Sequence, residues 1–234
     1  LQRWLGEMSG AKLPIVTDAE ASVAREIVLG ESARLAEGGV RVDFAALGKE
    51  GYVLRTAGRR LIIAGGKPRG TLYGVYGLLT DHLGCRWFTP TVSHIPRRKT
   101  VRLPELDHRT IPVLEYREPF VKDCFDGDWC ARNRVNSSRG TLTEQHGGKV
   151  RFVRGKFVHT FGGLVPVRKY FDAHPEYFSE VNGKRMAERT QLCCTNEEVI
   201  AIVTRGVLEA FRKDPEGFVC SVSQNDWGNW CRCA

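Results

Sequence analysis

The stretch TNEEVIAIVTRGVLEAFRKDPEGFVCSVSQNDW, Thr195–Trp227, decides how the second half of the chain is read. Thr195 stands three residues before Glu198, a capping-box pattern, and Val199, Ile202, Val203 and Val207 then recur on one helical face. Pro215 ends the helix, and Phe218–Ser223 is a short apolar run of strand type. A helix leading into a strand, with the polar cluster Gln224-Asn-Asp-Trp227 directly behind it, has the cadence of a parallel α/β structure. In such structures the polar residues just past the strand C-termini line the site.

Upstream, Tyr177–Val181 and the residues from Lys184 onward flank Asn182-Gly183, the dipeptide that populates the positive φ angles of a tight hairpin turn. Val113–Tyr116 and Lys156–Thr160 read as further strands, and Trp129–Val135 as a short helix. Residues 112–234 are therefore expected to be the N-terminal part of a TIM-like (β/α) barrel, incomplete at about half the ~250 residues that such a barrel takes. Before them, Leu1–Met8 reads as a helix and Leu13–Val16, Glu26–Leu29, Tyr52–Thr56 and Leu61–Ala64 as strands, the last two paired through Gly58. A helix with Leu72, Val75, Tyr76, Leu79 and Leu83 at three-to-four-residue spacing follows, and Gly74 and Gly77 would let its backbone approach a neighbour. Residues 1–95 are thus expected to be an α/β accessory domain, a sheet with helices on one face. Pro96, Pro104 and Pro112 bracket the basic run Arg97-Arg98-Lys99, so residues 96–111 read as a linker.

The chain of 234 residues is 42% hydrophobic and 26% charged, enough to bury a sizeable core. Its net charge of +8 comes from dispersed arginines without an aromatic-interleaved basic stripe, which argues against a nucleic-acid partner. No run approaches the ~20 apolar residues of a membrane span, and no signal-peptide pattern opens the chain, so an export signal would be removed or lie outside these residues. Eight cysteines favour an oxidising compartment, hence a secreted or periplasmic protein with at least one disulfide. Cys193-Cys194 and Cys231-Arg-Cys233 leave a metal or redox module open, although neither has the usual spacing of a zinc site. No cofactor or metal is expected on these spacings. No G-x-S-x-G elbow, Walker loop, G-x-G-x-x-G or H-E-x-x-H is present.

Asp226 is the candidate catalytic residue, with Asn225, Trp227 and Trp230 beside it. A carboxylate, an amide that bonds sugar hydroxyls and an indole that stacks on a pyranose are the groups glycoside cleavage uses. An Asn/Asp turn with a core tryptophan explains the same residues. His159, at the end of one expected strand, and Arg117 and Glu118, at the end of another, are candidate substrate contacts on the same mouth; each also reads as ordinary structural hydrogen bonding or a surface pair. His174 belongs to His174-Pro-Glu-Tyr177, either a substrate contact or a rigid turn with Tyr177 packed inward. Trp129, Arg132, Asn133 and Asn136 fit helix-to-loop hydrogen bonding as readily as binding.

Several segments together resemble a family of bacterial proteins from polysaccharide degraders, the domain of unknown function 4838. They are Gly66-Lys-Pro-Arg-Gly-Thr-Leu-Tyr-Gly-Val-Tyr76, Leu83-Gly-Cys-Arg-Trp-Phe-Thr-Pro90, Trp129-Cys-Ala-Arg-Asn133, His174-Pro-Glu-Tyr-Phe178, Asn182-Gly-Lys-Arg185, Gln191-Leu-Cys193 with Thr195-Asn196, Ser223-Gln-Asn-Asp226 and Cys231-Arg-Cys233. The resemblance implies an N-terminal domain similar to the non-catalytic one of family 67 α-glucuronidases and family 20 β-hexosaminidases, with a barrel after it. Asn225-Asp226 resembles the strand-end acid of one large glycosidase clan, with Asp in place of Glu, whereas family 20 has Asp-Glu. The implied function is a glycoside hydrolase acting on a uronic-acid- or hexosamine-containing glycan, its second carboxylate expected beyond Ala234. A non-catalytic glycan-binding protein of the same fold is the alternative.

Overall fold

The computed structural model describes residues 1–233, which fall into two compact units, Leu1–Lys149 and Val150 onward. Both mix helices and strands, and among the described residues no helix is long and apolar enough to cross a membrane.

The first unit is built on a four-stranded sheet of order β1-β3-β2-β6. Strand β1 (Ile27–Leu29) follows helix α1 (Gln2–Ser9), and two one-turn helices, α2 (Arg34–Glu37) and α3 (Phe44–Leu47), lead to β2 (Tyr52–Ala57) and β3 (Arg60–Gly65). Strand β3 runs parallel to β1 and antiparallel to β2, turning through Gly58 at φ 58°. Leu13–Val16, expected as a strand, is irregular backbone.

Side-chain alternation divides the sheet into two buried faces, not one. Tyr52, Leu54, Leu61 and Ile63 face Trp4, Leu5 and Met8 of α1 and the helix that follows β3. Val28, Val53, Ile62 and Ala64 face Leu35, Val40 and Leu47 on the opposite side. The expectation of helices on one face is corrected by the unbroken run Leu61-Ile-Ile-Ala64. An apolar run without alternation belongs to a strand covered on both sides.

Helix α4 (Gly70–Gly77) continues into a π-helical turn, Leu78–His82. Tyr73, Val75, Leu78, Leu79 and Leu83 are buried against the sheet, whereas Leu72 and Tyr76 pack outward against Cys130, Ala131, Val135 and Leu142. The two helix glycines seat the backbone on Tyr52: a Cβ at Gly77 would lie 2.4 Å from the Tyr52 hydroxyl oxygen, and one at Gly74 2.9 Å from Ile63 Cγ2.

Residues 96–111 are part of this unit and not a free linker. Beyond the two-stranded ribbon β4 (Arg86–Trp87) and β5 (Ser93–His94), Arg98 N donates to Met8 O at 2.8 Å. Val101, Leu103 and Leu106 then pack on the first core, and β6 (Asp107–Thr110) pairs with β2 as an edge strand. The basic side chains face water; the interleaved aliphatic residues hold the segment down. The unit extends through α5 (Gly127–Arg132) to Lys149.

The second unit has its core at Leu164, Val165, Tyr177, Phe178, Leu192 and Val199. Two one-turn helices, α6 (Phe161–Leu164) and α7 (Val167–Tyr170), precede the hairpin β7 (Glu180–Val181) and β8 (Lys184–Arg185), whose Asn182 and Gly183 take φ of 51° and 74° as a tight turn requires. Helix α8 (Glu197–Lys213) buries Val199 and packs Ile202, Val203 and Val207 beside it. Its N-cap is Asn196, one residue after the expected Thr195; the Asn196 carboxamide oxygen accepts from the Glu198 and Val199 amides.

The barrel cadence is not realised as a sheet. Val113–Tyr116 lies in the first unit and is no strand, with Val113 95% exposed. The segment 151–160, which includes Lys156–Thr160, and Phe218–Ser223 do run side by side in parallel sense, with a single bridge Phe152↔Val219. Backbone bonds follow from Val153 N to Val219 O (2.7 Å), Ser221 N to Lys156 O (2.9 Å) and Thr160 N to Ser223 O (3.0 Å). Side-chain hydroxyls complete the pairing, which keeps it irregular: Thr160 Oγ1 donates to Ser221 O and accepts from Ser223 N.

The end of α8 is tied back to this pair. Arg151 grips Asp214 with both guanidinium Nη atoms, at 2.8 and 2.7 Å, and the Arg154 amide adds a third bond. The Arg151 hydrogen bonds, then the Arg154 amide, hold the Asp214 carboxyl down to about 2. A carboxyl depressed in the folded state stabilises it above the unfolded pKa of ~4 and loses that contribution as pH falls towards about 2. Asp214→Asn is therefore expected to flatten the pH dependence of folding stability between ~4 and ~2 in urea titrations; an unchanged slope would show the pair uncoupled from folding.

Candidate functional site

The loop after Phe218–Ser223 is assembled by buried amides. Gln191, almost fully buried, donates from Nε2 to Asn225 O (2.9 Å) and Trp227 O (2.5 Å) and accepts from Asn225 N at 2.9 Å. Asn225 is buried too; its Oδ1 accepts from Gly162 N (3.1 Å) and its Nδ2 donates to Thr190 O (3.0 Å). Trp227 Nε1 donates to the same Thr190 carbonyl at 2.8 Å. The loop is thus a fixed platform on the Thr190–Gln191 backbone, and Asn225 acts as its peg, with both polar ends engaged by protein. Nothing in its residue type distinguishes that from the sugar-contact role expected for it.

What the platform holds outward is Asp226, 88% exposed, with Trp227 and Trp230 about half exposed. His159 reaches it across the parallel pair. His159, in the left-handed region at φ 53°, anchors its N–H on Ser223 Oγ (2.9 Å) and sets Nδ1 3.0 Å from Gln224 O. A carbonyl only accepts, so Nδ1 carries the proton and Nε2 is turned to Asp226 Oδ2, 4.0 Å away. His159 and Asp226, both expected at strand ends, lie 4.0 Å apart, whereas Arg117, expected on the same mouth, belongs to the first unit. A cavity of about 530 Å³ in this unit is lined by other residues, among them Lys156, Leu164, Glu209, Lys213 and Asp214.

His174 stacks flat on Tyr177, ring centres 4.6 Å apart, with Nδ1 3.0 Å from Glu176. Pro175–Tyr177 is a one-turn 3-10 helix, and the buried Tyr177 donates to Glu198, the bond that, ahead of burial, pushes its phenol up to about 12. The rigid-turn account of this segment therefore covers Tyr177, while the half-exposed His174 stays open to contact.

Arg117 and Glu118 are structural in the first unit. Arg117 donates to the Glu50 carboxylate and to the carbonyls of Arg134 (2.8 Å) and Leu114 (2.5 Å). Glu50 also receives Arg69 Nε and Asn136 Nδ2, each at 2.7 Å, and all three residues are deeply buried. Glu118 accepts from the amide and hydroxyl of Ser138. Sequence proximity to an expected strand end suggested a site for both; their partners lie far along the chain.

All eight cysteines are free thiols, and Cys193, Cys231 and Cys233 converge within 4.8 Å of one another.

The exposed Asp226 carboxylate, the His159 imidazole 4.0 Å from it and the half-exposed Trp227 indole next in sequence make a polar-aromatic surface. Residues 87–234, well over half of the chain, match the family model described as domain of unknown function (DUF4838), and residues 1–78 match that of the glycosyl hydrolase family 67 N-terminus. The chain belongs to the DUF4838 family and is related to glycoside hydrolases through its N-terminal domain. No curated protein and no solved structure matches it.

Proposed function

We propose that the chain is part of an exported carbohydrate-active enzyme, a glycoside hydrolase that takes a uronic-acid- or hexosamine-containing glycan. The observation that carries the reading is the platform held by Gln191 and Asn225, which presents Asp226 with His159 4.0 Å away and the half-exposed Trp227 next to it in the chain. The glycosyl hydrolase family 67 N-terminal match supports a relation to glycosyl hydrolases. In this reading Asp226 is the proton donor to the leaving oxygen, the indoles stack on the sugar ring, and His174 contacts the glycan from the neighbouring turn. The parallel pair 151–160 and 218–223 belongs to a (β/α) barrel, and a second carboxylate roughly 5–10 Å across the cleft from Asp226 completes the chemistry.

The exposure of Asp226, with a histidine 4.0 Å away, favours a second reading, a glycan-binding protein without catalysis. Aryl uronides and aryl N-acetylhexosaminides, offered to the full-length protein, separate the two. Asp226→Asn is expected to lower turnover roughly a hundredfold or more with unchanged stability, the effect of losing a general acid. Trp227→Ala is expected to weaken binding of the same sugars. Turnover that survives Asp226→Asn would take the acid role from Asp226, and binding without any turnover would put the binding protein in front.

A further inference from the structure

We propose that Cys193, Cys231 and Cys233 form a three-thiolate zinc site that pins the end of the platform loop to the 177–193 segment. The three Sγ atoms come from two strands of backbone that are themselves anchored. Cys193 N donates to Tyr177 O at 2.9 Å, and Arg232 N, between the other two cysteines, donates to Glu180 O at 2.9 Å. That bond lays the Cys-x-Cys run along β7 with both of its sulfurs on the side of Cys193.

The separations fit ligands of one ion. Cys231 Sγ lies 3.2 Å and Cys193 Sγ 3.5 Å from Cys233 Sγ. A disulfide would need about 2.05 Å. Four-coordinate zinc with bonds of about 2.3 Å spaces its sulfurs roughly 3.7–3.8 Å apart, so the two pairs that involve Cys233 need to open by roughly 0.2–0.6 Å, and Cys193 and Cys231 lie within 4.8 Å of each other. Around them stand donors of the type that support metal thiolates: Glu180 N–H points at Cys231 Sγ (3.4 Å), and Arg185 Nη1 lies 3.7 Å from the same sulfur. Three thiolates on a dication leave one negative charge, which the Arg185 guanidinium balances. Soft sulfur donors select zinc over magnesium or calcium, and water fills the fourth position. The other convergent group, His174, Glu176 and Glu198, is more exposed and already engaged with Tyr177.

The site stands apart from catalysis, because it holds the loop bearing Trp230 and does not touch Asp226. The full chain, purified with reductant and stripped of metal, should bind one equivalent of Zn²⁺. With Co²⁺ instead it should develop the near-ultraviolet charge-transfer band of thiolate ligands. Cys233→Ser, at a partly exposed position, should weaken Zn²⁺ binding on the order of a hundredfold or more while circular dichroism stays native; Cys193→Ser should do the same where it folds. Cys220→Ser, remote from the cluster, should bind as the parent does. The proposal is overturned if Zn²⁺ fails to bind, if Cys233→Ser leaves affinity and the Co²⁺ band unchanged, or if the protein holds a disulfide among these cysteines that Zn²⁺ with reductant does not displace.

Discussion

Glu50→Ala is expected to destabilise the first unit by about 3–5 kcal/mol, the cost of breaking a buried ion pair from one side. The carboxylate is buried and is met by Arg69, Arg117 and Asn136. Removing it leaves the Arg69 guanidinium buried with only the Gly147 carbonyl as partner, at 2.8 Å. The penalty is the desolvation of that charge, on a side chain only 7% exposed. Glu50→Gln separates charge from shape: it keeps the volume and one acceptor, so it should cost less than the alanine while still weakening both arginine contacts. Urea titration of the full chain reads both values. A loss below about 1 kcal/mol for the alanine would mean that the pocket admits water and that the network is a surface ion pair in disguise.

The same network shows what the sequence leaves illegible. Local pattern was enough for β2 and β3, for the Asn182-Gly183 hairpin and for α8, because each is written in neighbouring residues: alternation, a turn dipeptide, a helical stripe. Gly74 and Gly77 in an otherwise apolar helix announced the close packing on Tyr52 that is found. Arg117, in contrast, takes its meaning from Glu50, 67 positions earlier, and no local pattern records such a pairing. Val113–Tyr116 failed as a strand for a related reason: a four-residue apolar run forms one only where a partner edge receives it. The two-faced burial of the first sheet is legible in the unbroken apolar run Leu61–Ala64. Around the candidate site, Asp226 and His159 were readable as strand-end polar residues, and their approach to 4.0 Å follows from the parallel sense of the two segments. Gln191 was the residue missed. It stood in a recognised motif, yet a glutamine between Thr190 and Leu192 carries no sign of being the hub of a loop more than thirty positions away; only its place in an otherwise apolar, buried stretch hinted at a satisfied core amide.

Gln191→Leu is expected to cost about 3 kcal/mol or more and to release the loop that carries Asp226, since an unsatisfied buried backbone group costs about 1–3 kcal/mol and the substitution orphans several. The leucine fills nearly the same volume, so the change is one of hydrogen bonding and not of packing. Asn225 N loses its acceptor, and the carbonyls of Trp227 and Gly228 lose the Gln191 donor, while the Asn225 carbonyl keeps only the Trp227 amide. The loop has one way to recover these bonds, which is to move outward into water, and that motion carries the Asn225 side chain away from Gly162 N and Thr190 O. Loss of the platform should therefore exceed loss of the global fold. The α8 core at Val165, Phe178 and Val199 does not depend on Gln191 and should keep its helical signal. Amide hydrogen exchange makes the distinction: residues 224–228 should lose protection in Gln191→Leu while residues 199–210 keep it. Asp226→Asn, which changes an exposed carboxylate and none of these bonds, should leave both segments as they are. If the loop stayed protected in Gln191→Leu, the Asn225 peg alone would be holding it, and glutamine would be a passenger in the motif.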